Sequence, residues 1–229
     1  EILLRKIIGN MQKNKAGSFG SIKNHLNSIY DFEKINTDLY ARKIKKLISD
    51  FNISNKLQKE FNWSEDTVLL ISYADSIYSS KKNNTLKTLK SFHKDYFDNV
   101  FDCVHILPFF PSSGDGGFSV MDHGEVDKKY GDWKDIKLYS KNKNIMADIV
   151  INHSSSKGIW FQNFLKGQEP GKDHFFIIDD KFNTTNVIRT RDHNLAQRFK
   201  VNGAYKNLWC TFSEDQIDLN FKNPDVLLD

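Results

Sequence analysis

Three short apolar runs rich in β-branched residues, separated by stretches of helical periodicity, leave this chain few folds. Thr67-Val-Leu-Leu-Ile-Ser-Tyr73 leads into Ala74-Asp75-Ser76. Phe101-Asp-Cys-Val-His-Ile-Leu107 leads into Pro108-Phe-Phe-Pro111, and Ile145-Met-Ala-Asp-Ile-Val-Ile151 into Asn152-His153. Such runs read as buried strands. With helical crossovers between them they form successive βαβ units, hence a parallel sheet in an α/β fold. Ligands of such sheets sit at the carboxyl ends of the strands, which places Asn152 and His153 at a site. Asp148, inside the third run, is costly to bury unpaired, so an arginine or backbone donors are expected beside it.

The crossovers are legible as apolar residues at helical spacing: Leu86, Leu89, Phe92, Tyr96 and Phe97 for the first, Trp133, Ile136 and Tyr139 for the second. Upstream, Leu4, Ile7, Ile8 and Met11 share a helical face, as do Ile22, Leu26, Ile29 and Tyr30. Thr37 or Asp38 is placed to cap a third helix carrying Ile44, Leu47, Ile48 and Phe51, with Arg42, Lys43, Lys45 and Lys46 on its wet face. Beyond His153, Ile159, Trp160, Phe161, Phe164 and Leu165 form one short apolar helix. From Gly167 to about Cys210 periodicity fades and turn formers multiply, which reads as a small, irregular, β-containing excursion. Asn223-Pro224 offers a cap and a first-turn proline before Val226 and Leu227.

The 229 residues suffice for one large domain or somewhat more. A net charge of +4, with lysines dispersed along the chain, argues against a nucleic-acid surface. Cys103 lies within a strand and reads as a small core residue. With Cys210 it makes neither a disulfide framework nor a zinc site. No apolar run approaches a membrane span and no signal peptide is visible, so a cytoplasmic protein is expected. The chain opens on Glu1 and stops at Asp229 in what reads as a helix start, the pattern of a piece of a longer protein.

Gly114-Asp115-Gly116-Gly117-Phe118 lies where an active-site loop would lie. It lacks the Lys-Ser/Thr of a P-loop and the order of a dinucleotide turn. Taken alone it is a flexible turn. Asp115 beside Phe118, a carboxylate for hydroxyls next to an aromatic face, is instead the makeup of a carbohydrate site. The seven histidines show no metal-ligand spacing, so no metal or cofactor is expected. Asp122, His123 and Asp127 read as loop-stabilising groups before catalytic ones. Arg189 and Arg191 read equally as an anion site or a surface ion pair.

Asp148-Ile-Val-Ile-Asn-His153 is similar to the first signature region of the α-amylase family of glycoside hydrolases. His105-Ile-Leu-Pro-Phe-Phe-Pro-Ser-Ser113, Gly117-Phe-Ser-Val-Met-Asp122, Val126-Asp127, Gly131-Asp-Trp133 and Thr211-Phe-Ser-Glu-Asp-Gln-Ile-Asp-Leu-Asn-Phe-Lys-Asn-Pro-Asp225 resemble its sucrose phosphorylase subgroup. The likeness is greatest to the glucosylglycerate and sucrose 6-phosphate branches. The resemblance runs from about Asp66 to Asp229. It implies the N-terminal part of a (β/α)8 TIM barrel, strands one to three, with a B domain inserted after the third. The segments are then an N-terminal helical region over 1–65, barrel over 66–166, B domain over 167–212 and return to the barrel over 213–229.

The resemblance further implies a retaining transfer of glucose through a covalent glucosyl-enzyme, with inorganic phosphate as acceptor and glucose 1-phosphate as product. Asp115 and His153 would hold glucosyl hydroxyls, with His153 also stabilising the transition state, and Phe118 would form a hydrophobic platform. Arg191 would meet phosphate or acceptor, and Gln216 would line the acceptor side. The attacking aspartate and the proton-donating glutamate belong to barrel strands four and five, after Asp229. The 229 residues alone are therefore expected to be inactive and, with open sheet edges, poorly soluble. An ordinary hydrolase of the same family and a non-catalytic sugar-binding protein are the alternatives.

Overall fold

The computed structural model describes residues 19–30, 34–50, 63–80, 84–189 and 191–229. The helical face expected from Leu4 to Met11 lies outside these residues, as does Phe51. The chain divides into two compact units, one containing the N-terminal helices and Phe221–Asp229, the other Phe61–Asn220. No described helix is long and apolar enough to cross a membrane.

In the first unit, α1 (Phe19–Ile29) and α2 (Thr37–Asp50) pack through Leu26, Tyr30 and Ala41, with Ile22 and Ile44 alongside. Ile29, Leu47 and Ile48 are exposed, contrary to the expected faces. Among the described residues two helices meet here, and they cover a narrower stripe than the sequence offers. Asn36 caps α2 in place of Thr37 or Asp38: its Oδ1 accepts from Leu39 N at 3.1 Å. Arg42, Lys43, Lys45 and Lys46 are solvent-facing as expected. Asn223 Oδ1 accepts from Asp225 N at 3.0 Å, so the expected cap forms, but successive turns follow it in place of an α-helix.

The second unit holds a parallel sheet of β1 (Leu69–Ser72), β2 (Cys103–Ile106) and β3 (Asn144–Ala147), in that order. Leu70, Val104 and Ile145 align across it. The crossovers are α3 (Thr85–Phe97) and α4 (Trp133–Tyr139), as the spacing predicts. Both begin at polar caps that meet: Asn84 Oδ1 accepts from Lys87 N, while its Nδ2 donates to Asp135 Oδ2, in the capping box of α4, at 2.7 Å. Leu86, Leu89, Val104, Ile106, Phe109 and Tyr139 fill the layer between helices and sheet.

The third run departs from expectation. It is not one buried strand: β3 ends at Ala147, and Ile149 and Ile151 are 80% and 55% exposed while Val150 is buried. Among the described residues no strand pairs on the far side of β3, so only side chains turned toward the helix layer are covered. Among the described residues Asp148 meets neither arginine nor backbone donors. Its Oδ2 lies 2.9 Å from His105 Nε2 on the neighbouring strand.

After the break the chain forms β4 (His153–Ser155), antiparallel to β8 (Gln216–Asp218), with His153 opposite Asp218 and Ser155 opposite Gln216. Between them lie α5 (Ile159–Lys166) and an antiparallel sheet of β5 (Ile177–Ile178), β7 (Ala204–Trp209) and β6 (Ala196–Val201). Asn202 and Gly203, both at positive φ, close the β6–β7 hairpin. Phe161, Phe164, Phe175, Val201, Leu208, Cys210 and Ile217 form a second core.

Candidate active site

The loop after β2 is held, not loose. Ser112 bridges Val120, and Ser113 N donates to Ser119 O at 3.0 Å. Gly117, at φ +101°, lies so close to the end of β2 that a Cβ there would sit 2.3 Å from the Pro108 carbonyl oxygen. Between these anchors Asp115 has φ 53°, a left-handed conformation that few residues other than glycine adopt. That backbone turns the exposed Asp115 toward β8, where its Oδ2 accepts from Gln216 Nε2 at 2.9 Å.

His153 is the buried centre of the arrangement, 5% exposed. Its Nε2 lies 3.0 Å from the Phe118 carbonyl oxygen, so the proton rests on Nε2 and donates there. Gln216 Nε2, 3.1 Å from the same nitrogen, directs one of its two hydrogens to Asp115 and abuts the imidazole. Gln216 is almost fully buried, and its Oε1 has no partner among the described residues. An acceptor thus lies buried beside the imidazole. Phe118 is half-buried against the first core and supplies both a ring and the carbonyl that orients His153.

Arg191 is exposed, and its guanidinium carbon lies 5.9 Å from the centre of the Phe212 ring. Phe212 in turn leans on His153, ring centres 5.0 Å apart. This aromatic link is a site residue the sequence reading missed. Its signal was a lone aromatic in the polar turn after Cys210. Asp218 holds that turn, accepting from Thr211 N at 2.9 Å and Thr211 Oγ1 at 2.6 Å. Arg189 forms no surface ion pair among the described residues. Its Nη2 lies 2.9 Å from His193 Nε2 and 3.4 Å from the Thr211 carbonyl. Asp122, Asp127 and His123 stabilise loops: they bind Gly124 N, Lys129 N and the Val150 carbonyl respectively.

Burial pushes the His153 pKa below its ordinary value. The Phe118 carbonyl, Asp218 and Asp115 oppose that shift, and His123 adds to it. Buried His93 is lowered too, by burial and then by Lys143. The unfolded chain takes up these protons near about pH 6.5, before the native state does. The stability they contribute is therefore complete above that pH and is lost as pH falls toward the native values. The thermal midpoint is expected to fall steadily from roughly pH 7.5 to about pH 5; a flat midpoint over that interval would contradict neutral, buried imidazoles.

A neutral imidazole, a carboxylate, a buried amide and two aromatic faces suit a polyhydroxylated ring held through hydroxyls and its apolar side. They stand beyond the carboxyl ends of parallel βα units, where β/α enzymes place their sites. The chain belongs to the α-amylase family: residues 73–228 match the alpha amylase catalytic domain. It is 38% identical to glucosylglycerate phosphorylase of Escherichia coli K12, over 82% of this chain and 34% of that protein. It is 36% identical to sucrose phosphorylase of Streptococcus mutans, over 66% and 33%. Its fold matches crystalline sucrose 6F-phosphate phosphorylase from Thermoanaerobacter thermosaccharolyticum with a TM-score of 0.64, 35% identity, and coverage of 72% and 36%. The chain spans about a third of the length of these relatives. Its β1, β2 and β3 are parallel strands from the N-terminal part of the TIM barrel of that family.

Proposed function

We propose that the protein containing these residues is a retaining glucosyl phosphorylase. It transfers glucose from sucrose, glucosylglycerate or a sucrose 6-phosphate-like glucoside to inorganic phosphate and yields glucose 1-phosphate. The observation that carries this reading is the meeting of Asp115, Phe118, His153 and Gln216 at one place, in a chain whose relatives bear phosphorylase names. In this reading Asp115 and His153 bind the hydroxyls of the glucosyl ring and Phe118 covers its apolar side. Gln216 lines the acceptor side. Arg191, carried by Phe212, meets phosphate or acceptor as a guanidinium suited to oxyanions. Residues 167–212 are the inserted B domain. The attacking carboxylate and the proton donor are supplied by barrel strands four and five, following this segment.

The test is glucose release by the complete enzyme with and without phosphate, in excess chelator. Glucose 1-phosphate is expected only when phosphate is present, at a rate the chelator leaves unchanged. The 229 residues alone are expected to release none. Free glucose as the main product, independent of phosphate, would make the protein a hydrolase. No release with any of the three glucosides would leave a sugar-binding protein.

A further inference from the structure

We infer that Asp215 is a positioning residue, one carboxylate that gathers the loop of Asp115 and Phe118, the strand of His153 and its own neighbour Gln216 into a working site. Its Oδ2 accepts from Ser113 Oγ and, at 2.8 Å, from Ser119 Oγ. Its Oδ1 accepts from Ser156 Oγ, and Ser155 Oγ lies 3.5 Å from both oxygens. Ser113 and Ser119 flank the turn that displays Asp115 and Phe118, Ser155 belongs to β4, and Gln216 follows Asp215 directly. The remaining bonds close the cluster: Ser113 Oγ lies 2.6 Å from Ser155 Oγ, and Ser156 N donates to the Asp215 carbonyl at 2.8 Å.

A carboxylate has about four lone-pair sites, and this one is filled by hydroxyl donors from two other segments. Bonds to an ionised acceptor are roughly twice as strong as neutral ones. They are suited to hold Asp115 in a backbone conformation it does not favour. Burial raises the Asp215 pKa, but hydrogen bonds from Ser113, Ser156 and Ser119, with the Lys157 charge, outweigh it and leave the carboxyl below its ordinary value. The group is therefore ionised wherever the enzyme works. Asp215 touches none of the side chains proposed to bind sugar, so its action on the reaction is through their placement.

The inference rests on the phosphorylase reading for its kinetic arm only. In the complete enzyme Asp215→Ala is expected to speed amide exchange selectively over residues 113–119. It should lower kcat about 100-fold, the cost of a misplaced binding group, while the KM for phosphate changes by less than about threefold. Asp215→Asn, which keeps one acceptor oxygen, should recover part of the loss. Unchanged exchange in the loop would overturn the inference, as would a loosened loop with wild-type kcat, which would make Asp215 a pin of the fold alone. If Asp215→Ala does not fold, Ser113→Ala combined with Ser119→Ala removes two donors and is judged by the same outcomes. Wild-type enzyme without glucosyl transfer would sink the proposed function, and loop exchange would then decide the positioning role by itself.

Discussion

His153→Ala in the complete enzyme is expected to lower turnover roughly 30- to 900-fold, a loss of about 2–4 kcal/mol of transition-state stabilisation. The imidazole is buried, neutral and oriented by the Phe118 carbonyl, so it is held before the substrate arrives. A hydrogen bond to the glucosyl ring that tightens as the ring flattens toward the oxocarbenium state acts on kcat more than on binding. The KM for acceptor should change little. Steady-state kinetics with the thermal midpoint measured alongside separate this from unfolding, since the substitution also leaves the Phe118 carbonyl unpaired. Unchanged turnover with a raised acceptor KM would move His153 out of the glucosyl site.

Phe161→Ala is expected to cost about 3–5 kcal/mol of stability. Phe161 is 1% exposed and stands at the centre of the second core. Its ring meets Phe175 and Phe199 edge-on, ring centres 5.0 Å apart in each case, and tilts on Phe164 at 5.8 Å. Truncation removes the apolar area and these ring contacts together, and three neighbouring rings cannot all close the cavity. Denaturant unfolding should show a lower midpoint with the slope preserved, and Phe161→Leu should lose less. Wild-type stability in the alanine variant would mean that α5 does not anchor the sheet of β5, β7 and β6. Because β4 and β8 join this core through Ile217, a substitution far from the proposed sugar site should also loosen the pairing that brings His153 and Gln216 together.

Local chemistry carried much of this architecture. The helices α3, α4 and α5 follow from apolar residues at helical spacing, and their starts from Asn84, Asp132 and Gly158. The β6–β7 hairpin was not read from the sequence, although its turn rests on Asn202-Gly203, a dipeptide that favours a two-residue turn. Strands β1 and β2 follow from short apolar runs that rest on the helix layer. Each of these depends on neighbours within a few residues, and local sequence reports such neighbours well.

The sequence by itself therefore determined the order of strands and crossovers, the residues from which a sugar site is proposed and, through motif resemblance, the family. Tertiary structure alone decided how that site is assembled. Periodicity stops at the end of an element and says nothing about which distant segment will pair with it. The third run reads as one strand, yet it ends at Ala147, and His153 pairs with β8 outside the parallel sheet. Asp115 and Gln216 are 101 residues apart and meet only because that pairing forms. Asp215 reads as one more charge in the polar string Ser213-Glu214-Asp215, and Phe212 as a stray ring. Folding turns the first into the acceptor of serine hydroxyls and places the second between His153 and Arg191, where the neighbours of each come from segments no local pattern can name.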